Sequence, residues 1–420
     1  MRIGFVTQWF PPEPGTVVPS AIAEGLHGAG HQVEVLTGFP NYPTGRVMDG
    51  YRVRPYQRET TASGIPVHRA PLWPNHDSRA VARMANYLSF AAGASAVARA
   101  RMPRPDVWLV YSSPATAVLP VVRALRRHRA PYFLLVQDLW PDSVTGSGFV
   151  GGAAGSAVEG LLTRFCDASY RHAGGIGVIS PGMRRVLVGR GVPDGIVHDT
   201  PNWISDDHLL PGDAPDPQLR RDLGLPPGRL WMYAGNLGEL QGLDALVEAF
   251  ARRPEAQLVL VGDGVARPRL EELATRLGAD NVRFAGSVPT SEVGRWIAAS
   301  DVQVVSLQDT PLLRVTMPSK VQGSLAATRP VLVHAAGDAA AVVTGARCGW
   351  AATPGDAAAL DAAIGDGLAV EEADLRAMGR GARRLYEEQF SPQVGPARLA
   401  RALEAAASAH PTGTAGPGAR

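Results

Sequence analysis

Short apolar runs of four to six residues recur along the whole chain, and most are followed by a longer segment with helical spacing. In the first half these runs are Ile3–Thr7, Gln32–Thr37, Val107–Tyr111, Tyr132–Gln137 and Gly175–Ile179. In the second they are Leu230–Ala234, Gln257–Val261, Val282–Ala285, Val302–Ser306 and Val331–His334. A strand that is apolar on both faces must be covered on both, and strands joined through helices run parallel. Leu243, Leu246, Val247 and Phe250 keep the helical period between two of these runs, as do Val293, Trp296 and Ile297. The pattern stops in a stretch rich in Pro, Asp and Gly, Pro211–Pro227, and restarts at Leu230. This predicts an α/β chain of two Rossmann-like domains, the number also expected when 420 residues are divided into cores of about 150–200. The expected division is 1–205, 206–385, a helix at 386–409 returning to the first domain, and a disordered Gly/Pro/Thr/Ala tail at 410–420. Ligands of such sheets bind outside the carboxyl ends of the strands, so the site is expected in a cleft between the domains.

Composition removes several other classes. No apolar run reaches the ~18–20 residues of a membrane helix. The opening MRIGFVTQWF reads as a first buried strand and not as a secretory leader. Cys166 and Cys348 lie far apart without metal-ligand spacing, as expected of a cytoplasmic protein without disulfides or structural zinc. Residues 1–200 carry 20 basic and 13 acidic side chains, whereas residues 201–420 carry 21 and 26. The basic excess is densest between Arg46 and Arg129. It has two readings, a solvated arginine-rich surface or a peripheral contact with anionic membrane, with Arg79, Arg83, Arg99 and Arg101 flanking the apolar stretch Tyr87–Val97. Without a basic stripe interleaved with aromatics, no nucleic-acid partner is expected.

Of 41 basic side chains, 40 are arginine, a bias expected of a GC-rich bacterial genome. The single lysine, Lys320, stands in Pro318-Ser319-Lys320 where a helix begins. A compact ammonium fits a tight phosphate pocket more easily than a broad guanidinium. Several strands end in glycine turns: Gly235-Asn236-Leu237-Gly238 before Gln241-Gly242, then Gly262-Asp263-Gly264, then Gly286-Ser287-Val288-Pro289. A glycine turn before a helix offers amides and a positive dipole end to phosphate. The loop Pro11-Pro12-Glu13-Pro14-Gly15 follows the first strand, with a helix expected near Ser20. His31 and His68 fall in or beside strands and read as structural.

Taken in order, GNLGxxQGLD, LVLVGDG, RFAGSVPTSEV, SDVQVVSL and MPSKVQGSLAATRPVLV resemble the donor-binding domain of GT-B glycosyltransferases of family 4. The FPPEPG loop, the segment Phe39–Arg46 and VQDLWPDS at Val136–Ser143 extend the resemblance to the branch of bacterial O-antigen fucosaminyltransferases and colanic-acid transferases. The resemblance implies a cytoplasmic retaining enzyme that uses a nucleotide sugar, UDP-linked rather than GDP-linked, without a metal or other cofactor. The acceptor would be a hydroxyl of a lipid-linked glycan precursor or of a natural-product scaffold.

It also implies residue roles. Gly15, Gly235, Asn236, Arg314, Ser319 and Lys320 would surround the diphosphate, with Ser319 capping the helix that faces it and Lys320 neutralising it. Gly262, Gly264, Val288 and Gln322 would lie against the nucleoside. Asp138 and Asp142 would meet the acceptor, and Asp138, Lys320 and Arg314 would carry the chemistry. Two departures follow from the same resemblance: Asn236 and Gln241 stand where many relatives have Arg and Lys, and Val315 and Gly323 where they have two glutamates. An epimerase of the same fold would need acid/base carboxylates and histidines near the sugar, yet Gln308–Pro318 holds only Asp309 and Arg314. A non-catalytic binding subunit is the other alternative, motivated by those missing cations and glutamates.

Overall fold

The computed structural model describes residues 1–76, 80–145, 153–210 and 212–409. Arg79 and the expected disordered tail 410–420 lie outside the described residues. The chain divides into two compact units: unit 1 is residues 1–202 with the segment from Gly395 onward, and unit 2 is Trp203–Val394.

Unit 1 is built on β1 (Arg2–Val6), β2 (Gln32–Gly38), β3 (Gln57–Thr60), β4 (Pro66–Ala70), β5 (Val107–Ser112), β6 (Tyr132–Val136), β7 (Gly175–Val178) and β8 (Val197–Asp199), in the order β3-β4-β2-β1-β5-β6-β7-β8. All neighbours are parallel except β3 and β4. Unit 2 is built on β9 (Leu230–Ala234), β10 (Gln257–Val261), β11 (Val282–Gly286), β12 (Val302–Ser306), β13 (Val331–His334) and β14 (Gly349–Ala352), wholly parallel in the order β11-β10-β9-β12-β13-β14. The two Rossmann-like units give the GT-B fold class expected from the sequence.

Apart from the edge strand β11, the strands legible as apolar runs are buried central ones, such as β6, whose five residues are all buried. Four others do not read that way. β3, Gln-Arg-Glu-Thr, is an edge strand with one face to solvent, and β8 and β14 are short edge strands. β4 hides two charged-looking residues inside the sheet. His68 Nε2 lies 2.9 Å from Glu34 and its Nδ1 3.0 Å from the Tyr56 hydroxyl. The fully buried Arg69 donates to Glu59 at 2.6 Å and to the carbonyls of Gly38 and Pro11. Buried charge of this kind persists only when its hydrogen-bonding groups are matched.

The Pro/Asp/Gly-rich segment is fastened to unit 2 by two arginines. Arg329 donates to the carbonyls of Ser300, Ala298, Ala214 and Gly212. Arg220 donates to Ala299 O and Asp301. The helix Gly395–Ser408 buries Leu399, Leu403 and Ala406 against unit 1, touching the helix Val17–Gly28 and strands β5 to β7. In the helix Ala80–Ala100 the apolar stretch supplies core residues Phe90, Ala91, Ala94 and Val97, with Arg99 and Arg101 exposed. Cys166 and Cys348 are free and buried, and burial pushes their thiols up to about 12 and about 11. Among the described residues no helix is long and apolar enough to cross a membrane.

Candidate active site

In unit 2, β9, β10 and β11 end side by side, each in or beside a glycine with positive φ: Gly235 at 141°, Gly262 at 133° and Gly286 at 78°. The turns bond sideways through Gly235 N–H to Val261 O and Gly262 N–H to Gly286 O, both 2.8 Å. A Cβ on Gly262 would stand 2.0 Å from Gly235 O, and one on Gly264 2.4 Å from Leu237 O. Backbone thus packs on backbone, a closeness that only glycine permits.

Lys320 lies across this platform. A Cβ on Gly235 would stand 2.3 Å from Lys320 Cε, so the lysine stem fills the space a side chain would need. Its ammonium is 5.0 Å from the centroid of the buried Tyr233 ring. Among the described residues no carboxylate makes an ion pair with it, and burial lowers its pKa. It is the first-turn neighbour of Ser319 in the helix Ser319–Ala326. The expected capping role of Ser319 is corrected here. Pro318, extended at φ −70° and ψ 138°, occupies the N-cap, and Ser319 is the exposed first helical residue with no side-chain cap. Val321 N–H bonds Pro318 O at 3.0 Å, and the two amides before it, on Ser319 and Lys320, are left to other partners.

The remaining donor-side candidates are placed around it. Asn236 is exposed and its amide Nδ2 donates to Gln241 Oε1 at 3.4 Å. The same Gln241 oxygen accepts Gly238 N–H at 3.1 Å, so this pair shapes the turn where relatives were expected to bring cations. Gln322 is buried, and Val288 is half-buried against Val259 and Val261. A Cβ on Gly323 would meet only Ile204 Cδ1, at 3.8 Å. Arg314 is exposed at the end of the short helix Pro311–Arg314, and it grips Asp309 through Nε at 2.6 Å and Nη2 at 2.7 Å. The guanidinium holds the Asp309 carboxyl below its usual range. Two of the five donors of Arg314 are thus engaged, which reduces it from an open cation to half of an ion pair.

In unit 1 a cavity of about 680 Å³ opens beside the ends of β5 and β6. Its walls include Trp9, Met84, Tyr87, Trp140 and Leu162, and its polar groups include Asp138 and Ser113. Ser113 Oγ donates to Asp138 Oδ2 at 2.6 Å, which orients an otherwise exposed carboxylate. Gln137, next to Asp138, pairs with Asn202 through two amide hydrogen bonds. Asp142 is not among the residues lining the cavity; it forms an ion pair with Arg190, which also donates to Trp140 O at 3.1 Å. Gly15 is exposed at φ 77°, ahead of a helix that begins at Val17 rather than near Ser20. Beside it the buried Glu13 accepts the amides of Phe10, Asn41 and Tyr42 at 3.2, 2.8 and 2.9 Å. Burial nevertheless pushes its carboxyl up. Among the described residues no group of three or more His, Cys, Asp or Glu is arranged to hold a metal ion.

Sequence reasoning missed three participants. Tyr233 reads as a core aromatic in a strand, and Glu13 as one residue of a Pro-rich turn. The cavity walls come from segments far apart in the chain, and no local pattern joins Trp9 to Tyr87 or Trp140.

Known proteins resemble this chain over most of its length. Residues 15–203 match the model of the glycosyl transferase 4-like domain, and residues 228–369 that of the glycosyl transferases group 1. A putative colanic acid biosynthesis glycosyl transferase of Escherichia coli is 29% identical over 313 residues, covering 73% of this chain and 75% of its own. A probable glycosyltransferase of Pseudomonas aeruginosa is 24% identical over 330 residues, covering 77% and 79%. Among solved structures, a sucrose-phosphate synthase from Thermosynechococcus elongatus superposes with a TM-score of 0.72 at 19% identity, covering 95% of this chain and 97% of its own. The Anabaena protein HepE, solved with UDP and glucose, gives 0.67 at 17% identity, covering 96% and 99%.

Proposed function

Because the chain belongs to the GT-B glycosyltransferases of family 4, we propose that it moves a sugar from a UDP-sugar to an acceptor hydroxyl with retention of anomeric configuration. The observation that carries this reading is the single lysine, half-buried, without a carboxylate, lying across the Gly235 turn at the start of a helix whose first amides have no side-chain cap. An anion with several oxygens is the natural partner of that arrangement. The structural relative from Anabaena solved with UDP supports the choice of base.

In this reading the diphosphate rests on the turn at Gly235, and the nucleoside runs toward Gly262, Gly264, Val288 and Gln322. As the bond from the anomeric carbon to the diphosphate oxygen breaks, negative charge grows on that oxygen. Lys320 and the amides at the start of the Ser319–Ala326 helix stabilise it more in the transition state than in the ground state. The acceptor hydroxyl attacks from the face that the diphosphate leaves, and its proton passes to the departing phosphate. Asp138, held by Ser113, orients that hydroxyl and takes no proton. Arg314 contributes at long range through its pair with Asp309, and Ser319 and Gly15 contribute backbone only.

The apolar walls of the unit 1 cavity suit an acceptor with an apolar body, a lipid-linked glycan precursor or a natural-product scaffold. Calorimetry against UDP, GDP, TDP and their sugars tests the donor, with UDP expected to bind most tightly. Failure of all three diphosphates to bind refutes the reading. Incubation of each sugar nucleotide without acceptor separates transfer from epimerisation, because an epimerase converts its donor alone. The anomeric coupling constant of the product tests retention.

A further inference from the structure

We infer that Tyr233 is the positioning residue for Lys320: its ring holds the ammonium at the diphosphate site, and its hydroxyl fixes the turn that the lysine crosses. This rests on the reading of Lys320 as the diphosphate's partner.

A half-buried ammonium needs some stabilising neighbour. The usual neighbour is a carboxylate, and no carboxylate pairs with Lys320 among the described residues. A carboxylate there would neutralise the ammonium and compete with an incoming diphosphate. The face of an aromatic ring attracts a cation through its quadrupole and leaves the charge available. The Tyr233 ring does this at 5.0 Å from Lys320 Nζ.

The ring is itself held from its far end. Tyr233 is fully buried on β9, and its hydroxyl donates to Asn236 O at 2.7 Å. That bond closes the chain from Tyr233 through Gly235 to Asn236 into a short loop, and Lys320 Cε passes over its middle residue. The lysine therefore lies between a turn and a ring that are fastened to each other. Gly235 leaves room for the stem, and Tyr233 sets where the stem ends.

The test uses the fact that the chain has one lysine, so protein labelled with 13C-lysine gives one Hε/Cε signal. In the wild type the ring current of Tyr233 displaces Hε from the ordinary lysine position. Tyr233→Phe keeps the ring and releases only the turn at Asn236, so it is expected to keep that displacement and to weaken UDP about threefold, the scale of one lost hydrogen bond. Tyr233→Leu is expected to abolish it and to weaken UDP about tenfold, the scale of a desolvated cation–ring contact. Uridine, which lacks phosphates, is expected to bind both variants as it binds the wild type.

Should Tyr233→Leu not fold, Gly235→Ala carries the same test, because its methyl group displaces Cε from the ring while Tyr233 stays in place. An Hε signal unmoved by Tyr233→Leu or Gly235→Ala overturns the inference. So does an unchanged UDP-to-uridine affinity ratio in Tyr233→Leu when Lys320→Ala lowers that ratio. If Lys320→Ala leaves the ratio unchanged, the diphosphate assignment itself falls, and the positioning role falls with it.

Discussion

The two units place a glycine turn after corresponding strands, β1 in one and β9 in the other, each in the middle of its sheet. Each turn carries one secluded charge, and the two charges are opposite in sign and in satisfaction. Glu13 in unit 1 accepts three backbone amides and ties the first loop to the segment at Asn41 and Tyr42. Lys320 in unit 2 has a ring face and, among the described residues, no carboxylate partner. A buried charge whose lone pairs are already used is a fastening and has little left to offer a ligand. One left without a counter-charge is costly in the empty protein and gains most when an anion arrives. Electrostatic satisfaction, rather than burial alone, separates the charge that fastens from the charge still available to a ligand.

The sharpest way to break this contrast is Lys320→Ala. Turnover is expected to fall ~10²-fold or more with circular dichroism and melting temperature unchanged, on the scale of a lost transition-state donor. Near-normal turnover would make Lys320 another structural charge. The mirror experiment is Glu13→Ala, which strands the amides of Phe10, Asn41 and Tyr42. Denaturant unfolding is expected to show a loss of about 3 kcal/mol, while uridine affinity remains that of the wild type. Stability unchanged to within error would remove Glu13 from the role of fastening.

A titration sharpens the comparison further. Burial lowers the pKa of Lys320, so its charge is lost at a lower pH than for an ordinary lysine near 10.4. In the proposed reading the ammonium is the form that binds diphosphate, so UDP affinity is expected to fall as pH rises through that lowered value. Lys320→Arg should move the fall to higher pH and Lys320→Ala should remove it. An identical profile in all three proteins would place the titrating group elsewhere. The smallest effect belongs to Asp138→Asn. If the departing phosphate takes the proton, the loss in kcat is expected to stay below about tenfold, because the amide still accepts the Ser113 hydrogen bond. Complete inactivation with intact UDP binding would make Asp138 a base.

The parts of this molecule legible in its sequence are those whose surroundings are uniform. Central strands such as Tyr132–Val136 are apolar because both faces are covered, and the helix faces around Leu246 and Phe250 follow from one period. Three of the four edge strands, β3, β8 and β14, and β4 escaped, and in β4 the residues answer to different neighbours, as His68 does to Glu34 and Tyr56. Lys320 was legible through its rarity and its place at a helix start. Its support was not, since Tyr233 is indistinguishable from a packing residue until the ring and the ammonium are seen together. Arg314 and Asp142 illustrate the converse. Each reads as an available charge, and each is already paired, with Asp309 and Arg190 respectively.

Unit 2 enters and leaves unit 1 only at Asn202/Trp203 and Val394/Gly395, and its segment before β9 is pinned inward by Arg329 and Arg220. Unit 2, the half to which the proposed reading assigns the donor, is therefore a single uninterrupted cassette, spliced into its host at two seams. Exchange of that cassette between members of the family at these two seams should carry sugar choice with it and leave acceptor choice behind, which gives recombination a natural grain along which such enzymes diversify.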